Sequence, residues 1–214
     1  MALIDEVQGH NETWRQLMSQ LHADRLPHGM AFVGPAGIGK KKVALALAQV
    51  ALCAGDKPPC GECGFCIRVK NGKCESVLSL APVTANLKIE QAHQILNFLS
   101  LRSLAKRRFI IVDDAMSMNA SFANSLLKIL EEPPDDVHFI FLTQALSQLI
   151  PTIRSRLQSV RFLPLADQIL SRRSQSEAWM IAAAQGSFAR LEEWNSSDVT
   201  ELKAKAISAL GELA

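Results

Sequence analysis

Gly34-Pro35-Ala36-Gly37-Ile38-Gly39-Lys40-Lys41 has the glycine and lysine spacing of a loop that cradles phosphate. Gly34 and Gly39 hold the first and sixth positions, where glycine opens turns closed to larger residues, and Gly37 lies between them. Successive backbone N–H groups can then converge on one anion. Lys40, at the seventh position, is spaced to reach β- and γ-phosphates. The eighth position calls for a serine or threonine hydroxyl that ligates Mg²⁺, and Lys41 stands there instead. A cation does not coordinate a cation. The loop therefore predicts nucleotide binding with impaired hydrolysis, or no productive binding, and by itself leaves ATP as a ligand open.

Asp113-Asp114 follows the apolar run Phe109-Ile110-Ile111-Val112. In nucleotide hydrolases an acidic pair at the end of a buried strand divides the work: the first carboxylate orients magnesium and its waters, the second activates the attacking water. Asp114 is one methylene shorter than the usual glutamate, and attack geometry is sensitive to an ångström. Paired acids at a strand end also serve as turn formers and caps. Beside the glycine loop the pair reads as the remnant of a hydrolytic site.

Of five cysteines, Cys53, Cys60, Cys63 and Cys66 lie close together. The C-x-x-C-x-x-C run between glycines lets tight turns aim three sulfurs at one point, and Cys53 can supply a fourth. In a reducing compartment the spacing favours a Cys₄ zinc site over disulfides. Two C-x-x-C steps also occur in iron–sulfur proteins, but the further cysteine and proline of that pattern do not follow here. Cys74 is an alternative fourth ligand, but Cys53 is preferred, because Cys74 lies beyond the polar stretch Lys70-Asn71-Gly72-Lys73 and reads as an ordinary free thiol. Four protein ligands leave no open position for water, so the expected zinc is structural.

These groups need a scaffold, and the chain alternates as a parallel α/β sheet does. Short apolar runs predict strands over 30–33, 77–80, 109–112, 138–142 and 160–162. Helices are expected over 43–48, 89–101 and 119–131, the last with Phe122, Ala123, Leu126, Leu127 and Leu130 on one face and Pro133-Pro134 as its stop. Pro164-Leu165-Ala166 opens a candidate boundary, followed by short helices over 167–173, 177–185 and 198–213. The last begins with an Asp198-x-x-Glu201 capping box and lines up Val199, Leu202, Ala206, Ile207, Leu210 and Leu213.

The 214 residues are 48% hydrophobic, enough for an α/β core and a small second domain. With 23 basic against 21 acidic residues, the net charge of +2 calls for neither nucleic acid nor membrane as a partner. The N-terminus lacks a basic region followed by an apolar stretch, and no run nears the roughly 18 apolar residues of a membrane span. A cytoplasmic location is expected.

Leu26-Pro27-His28-Gly29, the glycine loop, the cysteine insertion, Val112-Asp113-Asp114-Ala115, Asn124-Ser125-Leu126-Leu127-Lys128-Ile129-Leu130-Glu131-Glu132-Pro133-Pro134 and Ile153-Arg154-Ser155-Arg156 together resemble the bacterial sliding-clamp loader subunits. These form the AAA+ family of the replicative DNA polymerase III holoenzyme. The resemblance covers about residues 7–163, and the Leu-Leu-Lys-x-Leu-Glu-Glu-Pro-Pro segment is specific to the family. It implies an AAA+ five-stranded parallel sheet over 1–163 with the zinc module at 53–66, then a short helical lid over 164–214. The helical collar that ends family chains has no counterpart in these residues.

Motor subunits of the family have a loop ending in threonine, an Asp-Glu pair and a lid arginine in Gly-Ser-x-Arg. Here stand Lys41, Asp114 and, in Gln185-Gly186-Ser187-Phe188-Ala189-Arg190, Ala189, with Arg190 one residue late. Three departures point to the branch that has lost hydrolysis. Thr143 matches the family's sensor threonine, although threonine at a strand end is also ordinary. Ser155-Arg156 matches the segment that projects an arginine finger into a neighbour's ATP site, where a guanidinium neutralises charge developing on the γ-phosphate. The implied partners are the motor (gamma/tau) and clamp-opening (delta) subunits and, through the complex, the sliding clamp and primed DNA. The alternatives are an active ATPase subunit of the gamma/tau type and, more remotely, a zinc module that binds DNA directly.

Overall fold

The computed structural model describes residues 2–82, 86–101, 103, 105–174 and 176–196. Helix α1 (Asn11–His22) precedes β1 (Gly29–Val33), the glycine loop and α2 (Lys40–Leu52). Then come α3 (Gly64–Lys70), β2 (Val77–Leu80), α4 (Ile89–Ser100), β3 (Arg108–Val112), α5 (Ala120–Glu131) and β4 (Val137–Thr143). The chain continues through α6 (Pro151–Arg154), β5 (Gln158–Arg161), α7 (Asp167–Arg173), α8 (Ala178–Ala184) and α9 (Phe188–Ser196).

The five strands form one sheet in the order β2-β3-β4-β1-β5, and every neighbouring pair is parallel. Parallel strands need helical crossovers, which cover both faces and leave the strands apolar from end to end. All five residues of β3 and all seven of β4 are buried. One face packs Met30, Phe32, Ile111, Ile140 and Leu142 against α1 and α2; the other packs Ile110, Val112, Phe139 and Phe141 against α4, α5 and α6. Burying a side chain of this size contributes about 1.5–3 kcal/mol. A third apolar cluster, around Leu165, Leu170, Met180, Ile181 and Leu191, belongs to α7, α8 and α9.

Local signals explain most boundaries. The Asn119 side chain accepts from Phe122 N–H at 2.8 Å and starts α5 one residue later than expected. Helix α2 exceeds the expected 43–48 at both ends: its first turn, Lys40 to Lys42, is polar and invisible to apolar periodicity, while Gly39 at φ +101° supplies the left-handed turn that launches it. β4 extends to Thr143, which is the last residue of the strand rather than the residue after it. β5 begins at Gln158, two residues before the expected run, because an edge strand alternates and only Val160 faces inward.

Helices α1, α3, α6 and α9 were not anticipated. α1 buries Leu17 and Leu21, with Trp14 and Met18 packed beside them on the same face, and α3 is a short helix inside the cysteine insertion. α8 is a residue shorter at each end than expected, with Glu177 and left-handed Gln185 as its caps. The helix expected over 198–213 lies outside the described residues. Among the described residues no helix is long and apolar enough to cross a membrane.

Candidate functional site

β1 delivers the glycine loop to the C-terminal edge of the sheet, between β4 and β5, where chain order reverses and crevices open in such sheets. Gly34 N–H donates to the Thr143 carbonyl at 3.2 Å, and a Cβ on Gly34 would lie 2.4 Å from the Phe162 carbonyl oxygen, so only glycine fits. Gly37 takes φ +73°. Lys40 is buried, and its ammonium donates to the Gly34 and Pro35 carbonyls at 2.6 Å each. Burial pushes its pKa down against the pull of Asp113 and Asp114.

Lys41 reaches across to β3 and lies 2.9 Å from Asp113 Oδ2. The carboxylate that the sequence assigned to magnesium therefore faces an ammonium. Asp114 adopts a left-handed turn at φ 55°, and its carbonyl accepts from Ser117 Oγ at 2.7 Å. Thr143 is buried, with its hydroxyl donating to the Ala145 carbonyl at 3.0 Å. Gly37, Gly39, Lys40, Lys41, Asp113, Asp114 and Thr143 all border one cavity of about 670 Å³, while Gly34 is buried beneath it.

Two contributors to this cavity had no site signal or only an indirect one. His10 is buried and its Nε2–H donates to the Ile38 carbonyl at 2.8 Å, which braces the loop; burial lowers its pKa. A lone histidine ahead of a helix gives no hint of that contact. The turn before α9 covers the loop: Ala189 N–H donates to the Gly37 carbonyl at 3.2 Å. A Cβ on Gly37 would lie 2.3 Å from Ser187 Oγ and 2.7 Å from Ala189 Cβ. The position marked by the Gly-Ser-x-Arg comparison thus sits directly on the loop.

The sulfurs of Cys53, Cys60, Cys63 and Cys66 lie within 4.8 Å of one another. Cys60 and Cys66 are 3.9 Å apart, close to the edge of a tetrahedron with metal–sulfur bonds of about 2.3 Å. Backbone N–H groups of Gly55 and Cys60 point at Cys53 Sγ, at 3.4 and 3.3 Å, and those of Cys63 and Cys66 point at the preceding ligand-spaced sulfurs. Such donors favour thiolates. Burial raises Cys63, but the N–H donors of Cys66 and Ala54 and the neighbouring cysteine side chains outweigh it and bring its pKa to about 6. Donor set and spacing fit a four-sulfur metal site. Cys74 is buried elsewhere, in the apolar cluster of α1 and α2.

Arg156 lies apart from all of this. It precedes β5, and its carbonyl would be 2.9 Å from a Cβ on Gly29, the first residue of β1. That places it at the N-terminal edge of the sheet. Its guanidinium donates to the Thr152 carbonyl at 2.7 Å and pairs with Glu131 at the end of α5, with both side chains partly exposed.

A parallel sheet in this order, a glycine loop leading into a helix, an acidic strand end and a helical cluster over the loop define a P-loop α/β protein of AAA+ type. Solved structures agree at the level of fold. A DNA polymerase III gamma subunit-related protein of Thermotoga maritima superposes with TM-score 0.60 at 24% identity, covering 84% of this chain and 57% of that one. The Thermotoga maritima RuvB Holliday junction branch migration motor superposes with TM-score 0.58 at 15% identity, covering 94% and 65%.

Sequence relatives narrow the class. The profile described as "DNA polymerase III, delta subunit" matches residues 9–166, and the chain belongs to that family. It is 33% identical to DNA polymerase III subunit delta' of Bacillus subtilis (73% of this chain, 48% of the relative) and 33% identical to that of Pseudomonas aeruginosa (67% and 46%). It is also 33% identical to the gamma/tau subunit of Mycobacterium tuberculosis, over 72% of this chain and 28% of the relative. The chain spans about half the length of the delta' relatives it matches. The family membership expected from the 124–134 and 153–156 segments holds.

Proposed function

We propose that this chain is a non-hydrolysing, delta-prime-type subunit of the sliding-clamp loader that lends Arg156 to the ATP of a neighbouring motor subunit. The observation that carries this reading is the position of Arg156. β1 runs five residues between the Arg156 edge and the glycine loop, about 16 Å from the rise of a strand. An arginine side chain does not extend that far, so Arg156 has no reach to its own loop, and any phosphate it meets belongs to another chain. The tie to Glu131 is a partly exposed pair, worth about 0–1 kcal/mol, and yields readily to a γ-phosphate.

In this reading residues 1–163 form the nucleotide-binding-like unit and the chain from 164 onward a lid, with zinc on Cys53, Cys60, Cys63 and Cys66 stapling the 53–66 insertion. The partners are the gamma/tau motor and the clamp-opening delta subunit, and through them the sliding clamp and primed DNA. Hydrolysis by this chain itself is disfavoured because Lys41 occupies Asp113, Asp114 is turned into a tight turn, and Ala189 presents no guanidinium to the loop.

The test is a loader reconstituted with Arg156→Ala. ATP turnover is expected to fall by about 10³, the usual magnitude for a finger in trans. Turnover within a few-fold of normal, or robust hydrolysis by the isolated chain, would overturn the assignment in favour of an active gamma/tau-type ATPase.

A further inference from the structure

We propose that the cavity over the glycine loop binds a nucleoside polyphosphate without a divalent cation, the Lys41 ammonium held by Asp113 taking the place of magnesium. The class of ligand rests on the phosphate-loop reading above; the reversed role of magnesium rests on this chain's own geometry. The cavity has two kinds of wall. Leu3, Val7, Leu45, Leu165 and Phe188 make an apolar slot that suits a base, and Gly37 to Lys41 make the anion nest beside it. The loss of a hydrolytic set has therefore not filled the site.

What has changed is the charge at one point. Lys41 Nζ lies 2.9 Å from Asp113 Oδ2, so the group that would hold the metal's waters already faces a cation from its own chain. The hydroxyl that would complete a metal shell is absent. Lys42 is engaged by Glu6 at 3.2 Å, and His10, buried and bonded to Ile38, is neutral near pH 7. Among the described residues, Lys40 and Lys41 are thus the lysines left to face an entering polyphosphate, opposed by Asp113 and Asp114. Free nucleotide brings its full negative charge to them. Its magnesium complex brings less charge and sets a dication against Lys41, so it is the weaker ligand. Binding requires only that the Lys40 ammonium exchange the Gly34 and Pro35 carbonyls for phosphate oxygens, a trade of neutral acceptors for charged ones.

Titration of methylanthraniloyl-ADP, followed by its fluorescence, in magnesium-free buffer made without chelator and in excess MgCl₂ at matched ionic strength tests this directly on the unaltered chain. Binding is expected in the magnesium-free buffer and about tenfold weaker with magnesium. Tighter binding with magnesium, or no saturable binding without it, overturns the proposal. Lys41→Thr is expected to reverse the order, so that magnesium strengthens binding; an unchanged order counts against Lys41. Should Lys41→Thr fail to fold, Lys41→Met keeps the stem and removes the charge. It is expected to lose about tenfold in magnesium-free affinity, and retention of that affinity overturns the proposal. The finger assignment is read separately: a failed titration with a dead Arg156→Ala loader removes only this inference, and the opposite pair of results removes only the finger.

Discussion

The two edges of the sheet hold their cations in different settings. At the C-terminal edge the groups that would handle a nucleotide are engaged by their own chain: Lys40 with loop carbonyls, Lys41 with Asp113, and the Gly37 carbonyl with Ala189. At the N-terminal edge Arg156 is held by the partly exposed Glu131 carboxylate, the Thr152 carbonyl and the Ser155 hydroxyl. A parallel sheet keeps the two apart by the length of its strands. The difference teaches that one sheet can set a glycine loop with an open cavity and a partly exposed arginine at opposite ends of the same strands, so that each can change without disturbing the other.

The contrast breaks first at Arg156. Beyond the Ala variant, Arg156→Lys keeps the charge but loses the planar fork, so loader turnover should still fall by roughly 10² or more. Arg154→Ala, two residues back and exposed, should leave turnover within about twofold. Equal effects of the two would mean that the edge acts only as a surface.

The cysteine cluster is the control that belongs to neither edge. Metal analysis should find one zinc per chain. Stripping it with a chelator, or Cys63→Ser, should cost several kcal/mol and lower the melting temperature by about 10 °C. A melting curve indifferent to metal would leave the four sulfurs without a structural role.

A smaller effect is expected where the lid-like turn meets the loop. Gly37→Ala forces a side chain onto φ +73° and into Ser187 and Ala189. It should destabilise by about 1–3 kcal/mol, a fall of about 5 °C, with faster proteolysis near α9. An unshifted melting curve would show that the closure of this edge is loose.

The smallest is a pH effect. Burial lowers the pKa of His10, and likewise of His138 at the opposite edge. For a base depressed on folding, the unfolded chain binds the proton first. The stability that neutral histidine allows is therefore complete above its ordinary value of about 6.5 and is lost as pH falls toward the folded value. Denaturant unfolding between pH 7 and 5 should show this loss, and His10→Gln should reduce it by the His10 share. A flat profile would contradict buried neutral histidines at both edges.

Much of this architecture was legible beforehand because local chemistry carries it. Buried parallel strands read as apolar runs, so β1 to β4 stood within a residue or two of their places, and the proline pair ended α5. Edge strand β5 was misread at its start because two of its residues face solvent. Helices α3, α6 and α9 escaped because short or weakly apolar helices are stabilised by what they pack on, which a sequence does not display; α1 does display its face, in Trp14, Leu17, Met18 and Leu21 at helical spacing.

Sequence by itself determined the order of strand, loop and helix, the substitution of Lys41, the C-x-x-C-x-x-C spacing and the family to which the chain belongs. Only the tertiary structure decided that Lys41 meets Asp113, that Ala189 rests on Gly37, and that Arg156 stands at the far edge from its own loop. The first set is written in neighbouring residues. The second depends on which strands lie side by side, and the order β2-β3-β4-β1-β5 brings together residues far apart along the chain while separating the two ends of a single strand.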